Sequence, residues 1–200
     1  MGETRTNILE TARTILVEEG YDSLTARRIG QELEMTDAGV HYHFETKVDL
    51  VVGLIEFLEA EFRERLEDHD GDPETQLAAI VADQFEQAEA LRELTAPPGF
   101  QLLTVASAGN EELRLALVSY LEAYVDHVTA VLRDGIEVGV FETDDPERVA
   151  VFLASMTDAA AGRAALGLPL EALRESVVEY VLADVYVDEP PTLEVRSDGS

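Results

Sequence analysis

Apolar residues return every three or four positions along almost the whole chain, and nowhere do they alternate over the length of a strand. That period puts them on one face of successive helices, so the expected fold is all-α. Start and stop residues punctuate the pattern. Ile8, Ala12, Ile15 and Leu16 line a first helix, and Gly20 suits its C′ position, with Tyr21 packing back on Leu16 in a Schellman stop. Thr25 is placed as the N-cap of a second helix that turns Ile29 and Leu33 inward. Thr36 caps a short third helix anchored by Val40 and Phe44. Thr46 and Asp49 form a capping box, with Asp where Glu or Gln is usual. A long fourth helix follows with Leu50, Leu54, Phe57, Leu58 and Phe62 inside, ending near His69–Gly71.

The rest of the chain reads the same way. Asp72-Pro73 is an N-cap followed by the N1 proline that helices favour. The helix it opens runs to about Leu94, where Pro97-Pro98-Gly99 breaks it. Thr95 to Asn110 holds no charged residue, which predicts a buried central helix. Asn110 caps a long helix through Gly135, with an exit turn from Gly135 to Phe141. Asp145-Pro146 opens an Ala-rich helix whose only charges between Arg148 and Glu171 are Asp158 and Arg163. Most of its circumference should therefore be buried. Leu170 to Val187 is the last helix, and residues 188–200 form a tail expected to be disordered.

Composition excludes several classes. There is no cysteine, hence no disulfide and no thiolate metal site. No uninterrupted apolar run approaches 18 residues, so no membrane partner is expected. The N-terminus lacks a basic head followed by an apolar stretch, and a cytoplasmic location is expected. No nucleophile elbow, phosphate loop or HExxH motif argues for an enzyme. The charge is the unusual quantity: 42 acidic against 14 basic residues, a net of −28, with Lys47 the only lysine. Such self-repulsion destabilises a compact state. In molar salt, where the Debye length falls to about 3 Å, it largely disappears. The balance therefore resembles that of salt-in halophile proteins.

The charge is also uneven. Residues 1–50 carry five basic and ten acidic residues, a net of −5, and residues 51–200 carry −23. The less acidic quarter contains Leu24 to Lys47, laid out as a helix, a tight turn and a second short helix that closes on His41-Tyr42-His43-Phe44. Helix pairs of this kind set a recognition helix in the DNA major groove. His41 and His43 point to different helix faces, which argues against a metal site there.

The ordered set Ile8-Leu9, Gly20-Tyr21, Leu24-Thr25, Ile29, Thr36, His43-Phe44 and Lys47 resembles the tetracycline-repressor-like (TetR) family of transcription regulators over residues 8–55. The rest of the chain is similar to that family only in length and helical layout. The resemblance implies a helix-turn-helix DNA-binding domain at 1–46 and a helical ligand-binding and dimerisation domain at 47–187. It implies a homodimer, most simply a repressor on a palindromic double-stranded operator, released by a small-molecule effector and needing no cofactor. Carried over by position, Thr25 and Thr36 contact phosphates and Asp37, Ala38 and Gly39 face the groove floor. His41, Tyr42 and His43 straddle base edges and backbone, and Lys47 neutralises a phosphate. Arg27 and Arg28 either reach phosphate or line a solvated helix face. The sequence departs from the family pattern at Glu34, where glycine is frequent, at His41, where tyrosine is frequent, and at Asp37.

Phe100, Gln101, Thr104, Tyr120, Tyr124, His127, Phe152 and Met156 are the candidate effector-lining residues. Tyr120, Tyr124 and His127 share one helix face, where core packing is the competing role. The Ala-rich helix serves either the subunit's own core or, with the last helix, the dimer interface that the resemblance implies. A rival reading keeps the fold as a sensor or scaffold that has lost DNA binding.

Overall fold

The computed structural model describes residues 2–68, 71–90, 102 and 109–190. Among them the chain is helical, without a strand: α1 (Glu3–Glu18), a 3-10 turn (Tyr21–Ser23), α2 (Ala26–Glu32), α3 (Asp37–His43), α4 (Lys47–Glu67), α5 (Pro73–Ala90), α6 (Glu111–Val138), α7 (Pro146–Ala165) and α8 (Glu171–Val177). A π-helical turn, Val178–Leu182, carries α8 into a last helical turn, Ala183–Val185. The chain forms two compact units, Met1–Glu61 with Leu94–Tyr120, and Phe62–Glu93 with Leu121–Ser200.

Six helix starts, those of α2 to α7, fall where the sequence puts them, because each has a side chain to satisfy the free N–H groups of a first turn; α1 and α8 begin without one. Thr25 accepts from the Arg28 N–H and Thr36 from the Gly39 N–H. The Thr46–Asp49 box is closed both ways: the Thr46 N–H donates to Asp49 Oδ2 at 2.9 Å and the Asp49 N–H to Thr46 Oγ1 at 3.1 Å. Asp72, Asn110 and Asp145 cap the next three helices through Thr75, Leu113 and Arg148. A cap of this type stabilises a helix by about 1 kcal/mol.

Two helix ends differ from expectation. Gly20 has φ 87° and ψ 171°, outside the left-handed helical region, and the Ile15 carbonyl accepts from the Gly20 N–H itself. The stop is therefore not a Schellman turn; its extended ψ launches the 3-10 turn. Further on, α6 does not end at Gly135. It continues to Val138, and Gly139 (φ 83°) makes the exit. Gly135 lies inside the helix, at a position where any Cβ would overlap the Phe141 ring.

The first unit has one core, in which Ile8, Leu9, Ile15 and Leu16 of α1 meet Ile29, Val40, Phe44, Leu54 and Ile55, with Leu102 and Leu113. Burying each such side chain contributes about 1.5–3 kcal/mol. Of the uncharged segment Leu102, Gly109 and Asn110 are described; Phe100, Gln101 and Thr104 lie outside the described residues, as do residues 191–200 of the tail.

In the second unit α5 packs closely on α7. The small inward face of α7 (Ala150, Leu153, Ala160, Ala164) is buried, as small residues allow. The opposite face is bare: Val151, Phe152, Ser155, Asp158, Ala159 and Leu166 are exposed. Within one subunit, the burial expected of this helix is thus met on one side only. The last helical turn is tied down by an antiparallel bridge between Phe141 and Tyr186, whose rings lie 4.8 Å apart. The Tyr186 hydroxyl donates to the Glu74 carbonyl at 2.8 Å. By length and composition α6 could cross a membrane, while Leu113, Tyr124, Val128, Val131 and Leu132 on it are buried in protein.

Candidate nucleic-acid interface and effector core

The turn between α2 and α3 is built by contact, not by flexible residues. The Met35 N–H donates to the Gly30 carbonyl at 2.9 Å, and a Cβ on Gly30 would come within 2.7 Å of the Met35 carbonyl oxygen. Only glycine lets the chain fold back so tightly. Glu34, at φ 53°, is the one non-glycine residue with positive φ among the described residues. It occupies a left-handed position for which glycine is the usual residue.

That turn fixes which side of α3 faces water. Val40 and Phe44 are buried, while Thr36, Asp37, Ala38, His41 and Tyr42 are exposed and Gly39 and His43 are half-buried. Tyr42 is 86% exposed, the most exposed large side chain of its kind among the described residues. Its ring meets that of His43 edge-on at 5.3 Å, and His41 Nδ1 lies 3.3 Å from the Phe44 carbonyl. Thr25 and Thr36 cap through their oxygens, so both exposed hydroxyls keep a proton to donate. The structure therefore gathers the proposed groove-facing residues onto one surface.

The cations behave otherwise. Arg28 is held by Glu19 and Glu32, each at 2.6 Å, and these hydrogen bonds raise its pKa above the usual guanidinium value. Lys47 donates to the Tyr21 carbonyl at 2.7 Å with its Nζ 4.0 Å from the centre of the Tyr21 ring. Partial burial lowers its pKa, against the opposing pull of Asp22. Arg27 is exposed and makes no ion pair or side-chain hydrogen bond among the described residues. The carboxylates of Glu34, Asp37, Glu45 and Asp49 stand on the same segment, facing solvent.

The effector candidates separate. Tyr120 packs against the core of the first unit. In the second unit Tyr124 is buried and stacks on Phe62 at 6.2 Å. Burial pushes its hydroxyl pKa up, with a hydrogen bond to Thr157 opposing. His127 and Met156 are half-buried, and Phe152 is 47% exposed on the outward face of α7. Asp158 sits on the same outward side, its carboxyl pKa raised by the protein around it.

Sequence reasoning missed Gln84 and Thr129. Both are buried, and Gln84 Nε2 and Thr129 Oγ1 have no hydrogen-bond partner, as is also true of Arg65 Nε, which lies 3.7 Å from Asp83. A signal was present: Gln84 interrupts the apolar face Leu77, Ile80, Val81, Phe85 and Ala88. A buried polar group without a partner costs about 1–3 kcal/mol, so these atoms are the costly points of the second unit's interior.

Comparison with known proteins agrees with this layout. Residues 8–54 match the family described as bacterial regulatory proteins, tetR family. The HTH-type transcriptional regulator YfiR of Bacillus subtilis is 28% identical over 155 residues, 76% of this chain and 75% of the relative. A TetR transcription regulator from Haloarcula marismortui superposes with a TM-score of 0.81 at 26% identity, covering 92% of this chain and all of that one. FadR of Bacillus subtilis, solved in complex with stearoyl-CoA, has the same fold: TM-score 0.72, 20% identity, 90% of this chain and 99% of that one. The matching segment, residues 8–54, holds the two-helix module and its exposed surface, and the chain as a whole is similar in fold to TetR transcription regulators.

Proposed function

We propose that the protein is a homodimeric repressor that holds a palindromic operator and releases it when a small molecule enters the helical core. The observation that carries this reading is α3, anchored by Val40 and Phe44 and offering Asp37, Ala38, His41 and Tyr42 to solvent. Residues 1–46 act as the DNA-binding domain, 47–187 as the ligand-binding and dimerisation domain, and 188–200 as a tail. Gly39 and His43 flank the base-reading surface, and Thr25 and Thr36 bind phosphate through their hydroxyls. Asp37 reads cytosine N4, the one base-edge donor an acid favours in this position.

Dimerisation is assigned to the outward face of α7, where Val151, Phe152, Ser155, Ala159 and Leu166 recur at helical spacing, together with the segment from α8 to Val185. An apolar stripe on so acidic a chain is best explained by a copy of itself. Phe152 then belongs to this face. The effector site is assigned to Tyr124, His127 and Met156 with Gln84 and Thr129, and it suits an apolar body carrying a hydrogen-bond acceptor for the Gln84 amide. Ligand and DNA oppose each other reciprocally through a two-state equilibrium. The acidic excess and the single lysine support a cytoplasmic protein of a salt-in halophile.

The scarcity of free cations favours the rival, a sensor of this fold without DNA binding. One experiment separates them. The full chain is used to select duplexes from a random-sequence pool in molar KCl, and the winners are re-bound with Tyr42→Ala. A palindromic winner that Tyr42→Ala no longer holds supports the repressor; a pool without enrichment leaves the sensor.

A further inference from the structure

A DNA-binding surface ordinarily turns its cations toward phosphate, and here most of them are turned inward. Lys47, the first residue of α4, reaches back 2.7 Å to the Tyr21 carbonyl and lies over the Tyr21 ring, so it ties the α4 start to the 3-10 turn after α1. Arg5, in the first two turns of α1, sets its guanidinium 4.4 Å from the centre of the buried Phe44 ring. Gly53 makes room for that contact: a Cβ there would stand 2.7 Å from Phe44 Cε1 and 3.1 Å from Arg5 Nη2. Phe44 is the C-cap of α3. Two cation–ring contacts therefore grip the four-residue stretch that leaves the recognition helix, one at Phe44 and one at Lys47. Arg28 is held by Glu19 and Glu32.

We propose that Lys47 and Arg5 are positioning residues that fix the exit of the recognition helix, and that Arg27 is the cation that meets the phosphate backbone. The inference rests on the DNA-binding reading above and revises its phosphate contacts. A charge-assisted hydrogen bond to a carbonyl and a ring face beneath the ammonium hold Lys47 where it is. Leaving them for a phosphate would undo the contacts that orient α3. Arg27 has nothing to give up.

Counterion release distinguishes the two roles, because only a cation that reaches phosphate displaces a condensed ion, with log K changing by roughly 0.9 per contact in its slope against log salt. The full-length protein is titrated onto a duplex it has itself enriched from a random pool, from about 0.5 M to 3 M KCl. Lys47→Met and Arg5→Met weaken binding about tenfold or more at every salt, with the slope unchanged. Lys47→Arg, which can both donate and stack, restores it. Tyr21→Leu, which removes the ring but keeps the carbonyl acceptor, weakens binding in the same direction by less, and the double variant is no worse than Lys47→Met alone, since the pair acts as one unit. Arg27→Gln leaves the fold intact and shifts the slope by about 0.9 per subunit in the direction of fewer released ions. The inference is overturned if Lys47→Met shifts the slope, if Tyr21→Leu binds as wild type, or if the Tyr21 and Lys47 effects add. Should the Lys47 and Arg5 variants fail to fold, an unchanged slope in Arg27→Gln overturns it alone. A pool that yields no duplex removes the DNA reading itself, which is a different result from any of these.

Discussion

The two compact units place polar and apolar groups in opposite ways. In the first, the apolar side chains meet in one core, and the large ones left exposed among the described residues are Tyr42 and Leu115. Its capping threonines and most cations of its DNA-facing segment are occupied in caps, ion pairs and ring contacts. In the other unit Gln84, Thr129 and Arg65 have buried polar atoms without a hydrogen bond, while Val151, Phe152, Leu166 and Tyr180 lie bare. Among its described residues the first unit leaves no buried polar side-chain atom without a partner. The other is unfinished as a single subunit: its interior lacks a hydrogen-bonding partner and its surface lacks an apolar one. In the reading proposed above, a ligand and another copy of the chain supply one each.

Charge widens the difference and gives the largest expected effect. The first unit carries a net −9 over 88 residues and the second −19 over 112. A domain's net stability is only about 5–15 kcal/mol, and unscreened repulsion among these acids competes with all of it. Thermal melts followed by circular dichroism should rise steeply between about 0.1 M and 2 M KCl. As salt is withdrawn, hydrogen exchange should show α5 and α7 opening before α1 and α3. A melt insensitive to salt would remove the halophile assignment; opening of the first unit first would break the ranking.

How far each unit could be read from sequence follows the same division. The first unit was legible because its instructions are local. Thr25, Thr36 and the Thr46–Asp49 box act within three residues, and Val40 and Phe44 fall on a 3.6-residue period. What stayed hidden there was long-range: that Lys47 reaches a carbonyl 26 positions away, or that Arg5 lies over Phe44. In the second unit the starts at Asp72 and Asp145 were legible for the same local reason. Which face of α7 turns inward was not, since an Ala-rich helix has small residues on every side and the decision is made by α5. The π-helical turn at Val178–Leu182 leaves no trace in a sequence whose apolar period runs on through it. Glu34 shows the reverse case. Its positive φ is a departure from the expected glycine that the backbone accepts, so the turn is set by Gly30 and the Met35 hydrogen bond more than by the residue at its tip.

The next largest effect concerns the bare face of α7. Ala159 is exposed in a single subunit, so Ala159→Glu should leave the subunit's fold and melting point nearly unchanged while setting like charges against each other across a two-fold axis. Juxtaposed like charges at an interface cost several kcal/mol, about a hundredfold in the dimer dissociation constant. Light scattering at molar KCl should then report a monomer at micromolar protein. Retention of the dimer would place the interface elsewhere and leave the apolar stripe unexplained.

The smallest effect tests the interior. Gln84 sits between Val81 and Phe85 on the buried face of α5, with Nε2 unpaired. If the second unit were an ordinary core, that face would be better served by an apolar side chain, and replacing an unsatisfied amide by one of similar bulk removes a desolvation penalty of about 1 kcal/mol. Gln84→Leu should therefore stabilise the ligand-free protein by about that amount in a urea titration at molar KCl, with an unchanged dependence on urea because no additional surface is exposed on unfolding. The same substitution should abolish the response of operator binding to whatever small molecule releases the wild type, since the donor that would orient it is gone. Loss of stability would mean that Gln84 is structurally satisfied in solution, by a water or by a shift of its own amide. The contrast between a finished and an unfinished unit would then rest on the surface of α7 alone.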